Sequence, residues 1–310
     1  MEFFKKQPNF DFMRGRFVAM AFSLTLVVAS IVIMALRGFN FSIDFTGGVL
    51  LEVSYAEAVE LEPIRDVLAE EGFPGAIVQH FGTTSDVMIR LQPEADKSND
   101  ALSHEVMDAL QADNPDARMR RVEFVGPQVG EQLTNQGIQA ALFALIGILI
   151  YVTMRFQWKL AVGAIVGIAH DCIVVLGMIS LFQMPFDLTV LAAILTLIGY
   201  SLNDTVVVYD RLREDFRVQR SDNVLEITNI AINHTLSRTV MTGVTTLMVL
   251  TALFYFGGSG FYTFTLSLIF GIVFGTYSSV YVAAISALLC GLKREDLLPL
   301  KEKQPIDDMP

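Results

Sequence analysis

Residues Gly199–Asp215 read GYSLNDTVVVYDRLRED and close an apolar run that begins near Leu188. The run has the composition of a helix in hydrocarbon. Yet it carries Asn203 and Asp204 among leucine, valine and tyrosine, ahead of the charged cluster Asp210–Asp215. Ionisable groups inside a membrane span are expensive, usually face a bundle interior and mark ion or proton pathways. An aspartate at this position therefore needs a reason.

The rest of the chain supports a bilayer setting. Hydrophobic residues make up 53% of its 310 positions, too many for an ordinary soluble domain. A spanning helix needs about 20 apolar residues, and six stretches approach that: Phe17–Leu36, Ile138–Met154, Leu160–Phe182, Leu188–Tyr209, Thr239–Phe256 and Phe261–Leu292. The last is long enough to tilt or to run past the interface. The first ends in MALRG without a small-x-small cleavage site, so it is read as an uncleaved anchor. Cys172 and Cys290 fall inside predicted spans, so neither a disulfide framework nor a thiolate metal site is expected. No nucleotide loop, metal cluster or nucleophile and base pair suggests an enzyme or a bound cofactor, and no nucleic-acid partner is expected.

Charge sets the orientation. Between Arg37 and Gln136 there are 18 acidic and 7 basic residues, which accounts for the chain's whole formal charge of −11. The other 15 basic residues lie in the N-terminus, the connection holding Arg155 and Lys159, the connection from Arg211 to Arg238, and the tail. Alternate connections thus share one basic side, the cytoplasm by the positive-inside rule. The expected organisation is a cytoplasmic N-terminus (1–16), a first span (17–36), an exported acidic domain (37–136), five further spans (137–292) with a cytoplasmic loop at about 210–238, and a cytoplasmic tail (293–310).

Within the acidic segment, Val49–Tyr55 alternates as a strand and Glu57–Glu71 has helical apolar spacing. Ala76–Phe81 and Val87–Leu91 read as a strand pair turning at Gly82–Ser85, Ser98–Gln111 as a helix and Met119–Val125 as a strand. The order βαββαβ predicts an α+β ferredoxin-like sandwich. His80 and His104 stand apart and are read as surface or packed histidines.

The membrane-embedded polar residues form the candidate site: His170 and Asp171 in the third span, Asn203 and Asp204 in the fourth, and Arg238 with Thr242 at the mouth of the fifth. At 1.5 Å per residue from the outer helix ends, Asp171 lies about 18 Å deep, Asp204 about 26 Å and Arg238 about 28 Å. Asp204 and Arg238 share a level, within reach of each other. Gly163, Gly167 and Asp171 fall on one face that can pack closely; Tyr200, Ser201 and Asp204 share another. Two readings stay open: a structural Asp204–Arg238 ion pair, or a carboxylate that exchanges its proton as the arginine moves. His170 either relays protons or donates to a helix carbonyl. Asp210 and Arg211 are read as a solvated helix end.

With these residues in view, the sequence resembles the SecD/SecF family of protein-export membrane subunits, relatives of the resistance-nodulation-division (RND) transporters. The resemblance rests on IDFTGG (Ile43–Gly48), VGPQVGEQL (Val125–Leu133), the His170-Asp171 pair, GYSLNDTVVVYDR (Gly199–Arg211) and TLSRTVMTGVTTL (Thr235–Leu247). It implies a multi-pass protein of the bacterial inner membrane, six helices forming half of an RND-type bundle. It implies as partners SecD, the SecYEG channel, the translocating unfolded polypeptide and the surrounding lipid, with the proton gradient in place of a cofactor. It also implies that Asp204 and Arg238 conduct the proton, with Thr242 nearby.

Two rivals remain, a proton-coupled exporter of small molecules or lipids and a non-catalytic translocon scaffold. The topology is testable by itself. Cysteines placed at Ser98 and Gln219 should react with an impermeant thiol reagent only from outside and only from the cytoplasm, respectively; labelling of both from one side would overturn the orientation.

Overall fold

The structure, a computed structural model, describes residues 9–92, 99–219 and 223–297. Helix α1 (Arg16–Arg37) leads through β1 (Asn40–Phe41) and the short α2 (Ile43–Thr46) into β2 (Gly48–Ser54), α3 (Leu61–Glu70), β3 (Ile77–Phe81), β4 (Thr83–Leu91), α4 (Asn99–Asp113) and β5 (Arg118–Val125). Then come α5 (Pro127–Arg155), α6 (Trp158–Leu181), β6 (Pro185–Phe186), α7 (Leu188–Val218), α8 (Val224–Phe256) and α9 (Tyr262–Ser278). A π turn at Ser279–Ala283 joins α9 to α10 (Ala284–Leu289), and α11 (Arg294–Leu297) follows. Six helical stretches, with α9 to α10 counted as one, are long and apolar enough to cross a membrane. The chain is a multi-pass membrane protein.

The four-stranded antiparallel sheet has the order β3-β4-β2-β5. β2 and β3 flank β4 as the outer strands of a split βαβ unit, which is the expected ferredoxin-like arrangement. Val49, Leu51 and Val53 of β2 pack under α3 and α4 against Ile64, Leu68, Val106 and Leu110. The opposite sheet face is also covered: Leu50 and Met88 join Ile43 and Phe81 in a second cluster with Tyr262 at the start of α9. β2 is therefore buried on both faces, and its alternation separates two apolar environments.

Several boundaries differ from the sequence reading, each for a local reason. The hairpin turns at Gly82 alone, because the carbonyls of Thr84 and Ser85 accept from Val59 and Tyr55 N–H and so draw Thr83–Ser85 into β4. That segment also delays α3 until Leu61. α5 begins at Pro127, where a missing N–H costs a helix nothing. α7 and α8 run as helix through 210–218 and 224–238. The predicted start of α4 at Ser98, the N-terminal 1–8 and the tail beyond 297 lie outside the described residues.

The domain is tied to the helices by main-chain bonds. β1 pairs in parallel with β6, and Ser42 N–H donates to the Phe186 carbonyl at 2.9 Å. An Asp44 oxygen accepts from Leu188 N–H at 3.0 Å, while Asp187 caps the same helix by accepting from Val190 N–H at 2.8 Å. Arg90 of β4 donates to the Asn40 side chain at 2.5 Å and to the Phe41 carbonyl. The IDFTGG motif thus holds the first turn of α7.

Its final glycine is fixed by geometry. Gly48 has φ +122°, and an added Cβ would lie 2.3 Å from the Leu91 carbonyl oxygen. Gly48→Ala should destabilise the domain by about 2 kcal/mol or more, read as faster proteolysis in membranes, whereas Gly75→Ala, with open space around it, should leave it unchanged.

Candidate functional site

The polar seam lies where α6, α7, α8 and the α9–α10 helix meet. Asp171 on α6 is 1% exposed. Its Oδ2 accepts from Ser201 Oγ of α7 at 2.6 Å and from Ser278 Oγ at 2.8 Å, and its Oδ1 lies 2.9 Å from His170 Nδ1. Asp204 on α7, 6% exposed, accepts from Thr239 Oγ1 of α8 at 2.8 Å and from Ser279 Oγ at 2.7 Å. Each carboxylate is thus held by two hydroxyl donors from different helices. The neighbouring serines 278 and 279 serve one carboxylate each, because successive side chains on a helix point about 100° apart.

Local structure makes the close approach possible. A Cβ on Gly163 would meet Tyr209 and the Ala283 carbonyl, and one on Gly167 would press on Ala283, so the Gly163-Gly167-Asp171 face does pack tightly. The π turn begins at Ser279, and Tyr209 Oη donates to the Ala283 carbonyl within it at 3.0 Å. Such turns are rare and often occur at functional sites.

Other predicted residues are placed differently. Among the described residues no ion pair joins Arg238 to Asp204. Thr239 takes the inward position on α8 and turns Arg238 onto the exposed face, although its charge still couples to Asp204 through space. Asn203 is likewise exposed on α7. Thr242 donates back to the Arg238 and Thr239 carbonyls at 3.1 and 3.0 Å, beside the Tyr200 hydroxyl. His170 is 3% exposed; Nε2 has no protein partner, and the ring lies 6.4 Å from Tyr277. Asp210 and Arg211 are partly exposed, as a helix end in solvent would be, and Asp210 pairs with Arg155 while Arg211 also contacts His234 and Asp215.

Sequence reasoning missed Ser278, Ser279 and the donor role of Thr239. The one available signal was a Ser-Ser pair in the middle of the long last apolar run. The same helix carries Thr265 and Ser267, whose buried hydroxyls have no protein partner. Asp187, outside the spans, is a further acidic group at the domain end of α7. Burial pushes its carboxyl above the ordinary aspartate range, and the neighbouring Asp44 pushes the same way.

Comparison with known proteins gives this geometry a family. Residues 105–293 match the C-terminal region described as "Protein export membrane protein SecD/SecF, C-terminal", and 32–59 match the "SecD/SecF GG Motif". The chain belongs to the SecD/SecF family. It is 46% identical to the protein translocase subunit SecF of Vibrio alginolyticus over 310 residues, covering 99% of this chain and 98% of that one. Against the SecF subunit of Escherichia coli O157:H7 it is 43% identical, covering 97% and 94%. The crystal structure of Thermus thermophilus SecDF, a translocon-associated membrane protein, superimposes with a TM-score of 0.83 at 38% identity over 92% of this chain. This chain spans only 39% of that one. The GG motif contains Gly47 and Gly48, the turn that sets Asp44 against α7.

The hydroxyl clasp is testable. A hydrogen bond to a buried charged group contributes about 1.5–3 kcal/mol, so Ser279→Ala should lower the thermal stability of the detergent-solubilised protein by that order. In an Asp204→Ala background the same change should cost far less. Equal losses in both backgrounds would show that Ser279 does not act on Asp204.

Proposed function

We propose that this chain is the proton-coupled SecF-type subunit of a bacterial protein translocase in the inner membrane, with both termini in the cytoplasm. It pairs with SecD, docks on the SecYEG channel and uses the inward flow of protons to promote movement and release of unfolded polypeptide. One observation carries the reading. Asp204 is buried in the bundle with hydroxyl donors alone, while the cation at its level, Arg238, stands outside contact distance on the neighbouring helix. A carboxylate held by hydroxyls can be satisfied in either protonation state, since a hydroxyl both donates and accepts. A permanent ion pair would hold it charged.

The second carboxylate fits the same role. Asp171 has the same hydroxyl clasp plus an imidazole, and the imidazole's far nitrogen is open to a further partner. Thr265 and Ser267 extend the polar seam toward the domain end of the sixth span. The full-length relatives named as SecF favour polypeptide over small molecules or lipids as the moved species. A pure scaffold would have no need for two buried carboxylates.

The test is gradient-stimulated export in vesicles containing the complete complex. Asp204→Asn preserves shape and removes titration, so it should abolish the stimulation while leaving assembly intact. Arg238→Lys keeps the charge but not the planar fork and should lose most of it. The double change Asp204→Asn with Arg238→Gln should assemble and stay inactive. A double variant matching the wild type would leave only the packing role, and normal export by Asp204→Asn would remove the proton from the mechanism. Collapse of the gradient should slow release of polypeptide; indifference to it would favour the scaffold.

A further inference from the structure

At the end of the bundle away from the α+β domain, cytoplasmic in the reading above, α7 and α8 enclose a second titratable cluster. Asp215 lies eleven residues after Asp204 on α7. That is close to three full turns, so the two carboxylates share a helix face about 16 Å apart. Asp215 is 3% exposed. Its Oδ2 lies 2.9 Å from Nδ1 of His234 on α8, and its Oδ1 lies 3.2 Å from Arg211 Nη2. The same Nδ1 is 3.1 Å from Arg211 Nε and 3.0 Å from Nη2.

These contacts cannot all be hydrogen bonds at once. With a proton on Nδ1, His234 donates to Asp215 and offers Arg211 nothing. Without it, the bare nitrogen accepts from the guanidinium and has nothing to give the carboxylate. A single nitrogen thus stands between a permanent donor and a buried acceptor, and its proton decides which bond forms. The other charged groups at this corner are Glu214, which accepts from Arg211 at 2.8 Å, Arg238 one helical turn along α8, and Asp11, Arg14 and Arg16 on the N-terminal segment that packs on α8. Among the described residues, Arg211 and Asp215 are the polar partners of the imidazole.

We propose that His234 is the proton-release group on the cytoplasmic side of the Asp204 site, with Asp215 and Arg211 as its positioning residues. The inference rests on the proton-coupled reading of Asp204 and names the next acceptor. Met13, Val208, Ile232 and Val280 form an apolar layer in the same part of the bundle. When that layer admits water, the proton leaves the Asp204 carboxyl and is taken up by the imidazole. The Nδ1–H of the imidazolium bonds to Asp215, and Arg211 swings off it. Loss of the proton to the cytoplasm restores the Arg211 to Nδ1 bond. No other species is consumed.

A histidine release group makes export sensitive to cytoplasmic pH in a way that a structural clamp does not. In vesicles holding the complete complex, with the driving force fixed as a membrane potential, gradient-stimulated export by the wild type should fall severalfold as the cytoplasmic face is taken from pH 8 to pH 5.5. His234→Gln should retain some export with a ratio near one. A wild-type ratio in His234→Gln, a uniform loss with the profile preserved, or a flat wild-type profile would each overturn the proposal. If His234→Gln does not assemble, Asp215→Asn serves instead. Removing the carboxylate that accepts the Nδ1–H should change the dependence of export on cytoplasmic pH, and an unchanged profile would count against the role. Asp204→Asn in parallel separates the two readings. If it abolishes stimulated export while the histidine variant keeps the wild-type profile, only the release step is wrong; if it exports normally, the proton reading of Asp204 is wrong as well.

Discussion

Two carboxylates sealed inside an apolar bundle constrain the rest of this fold. An unpaired buried charge is too costly to persist, so Asp171 and Asp204 dictate which side chains must surround them. Four hydroxyls answer that demand, from Ser201, Ser278, Thr239 and Ser279. They come from three different helical stretches, which fixes α7, α8 and α9 around α6. The glycines at 163, 167 and 275 are then required so that the backbones come close enough for short side chains to reach. Ser278 and Ser279 also donate to carbonyls of their own helix, at Gly275 and Thr276, so their hydroxyls have an alternative partner whenever a carboxylate takes up a proton.

Helix α7 connects that site to the domain. Its 31 residues span about 46 Å, from the first turn held by Asp44 and Asp187, past Ser201 and Asp204, to Asp215. The GG motif is far from the buried carboxylates, yet it governs the strand and turn that deliver Asp44 to the helix. A rigid rod is thus fixed at one end to the domain and bonded midway to two buried carboxylates. A second SecDF structure, described as a super-membrane-facing form, aligns to this chain at 38% identity with a TM-score of 0.68.

Much of this was legible in the sequence because hydropathy and strand alternation are local properties. Six apolar runs and the βαββαβ order survive any tertiary detail, and Asp171 and Asp204 stand out because a charge in an apolar run is conspicuous. The partners were harder to see. A serine in a membrane span costs little, so Ser278 and Ser279 draw no attention until the fold sets them beside two carboxylates. Depth correctly put Asp204 and the start of the fifth span at one level, but depth is one coordinate and facing is another. Thr239 and Arg238 differ by one residue and by about 100° around the helix, and the threonine takes the inner position. The helical extensions of α7 and α8 beyond the apolar runs were hidden for the converse reason: a polar helix has no hydropathy signature.

The outward face of Arg238 is itself informative. Along α7 the exposed positions Ala192, Thr196, Gly199 and Asn203 recur at helical spacing, and α8 exposes Arg238, Met241 and Thr245. Small and hydroxyl-bearing residues let helix backbones approach and offer hydrogen bonds across the contact, whereas a face that only meets lipid has no use for an asparagine or an arginine. Arginine in hydrocarbon costs about 2.5–3.5 kcal/mol even on the mildest scale. Near the far edge of the span the side chain can reach the interface and reduce that cost, but Asn203 has no such length. Exposed Asn203 and Arg238 therefore mark this face as one fitted to polar contact rather than to lipid alone.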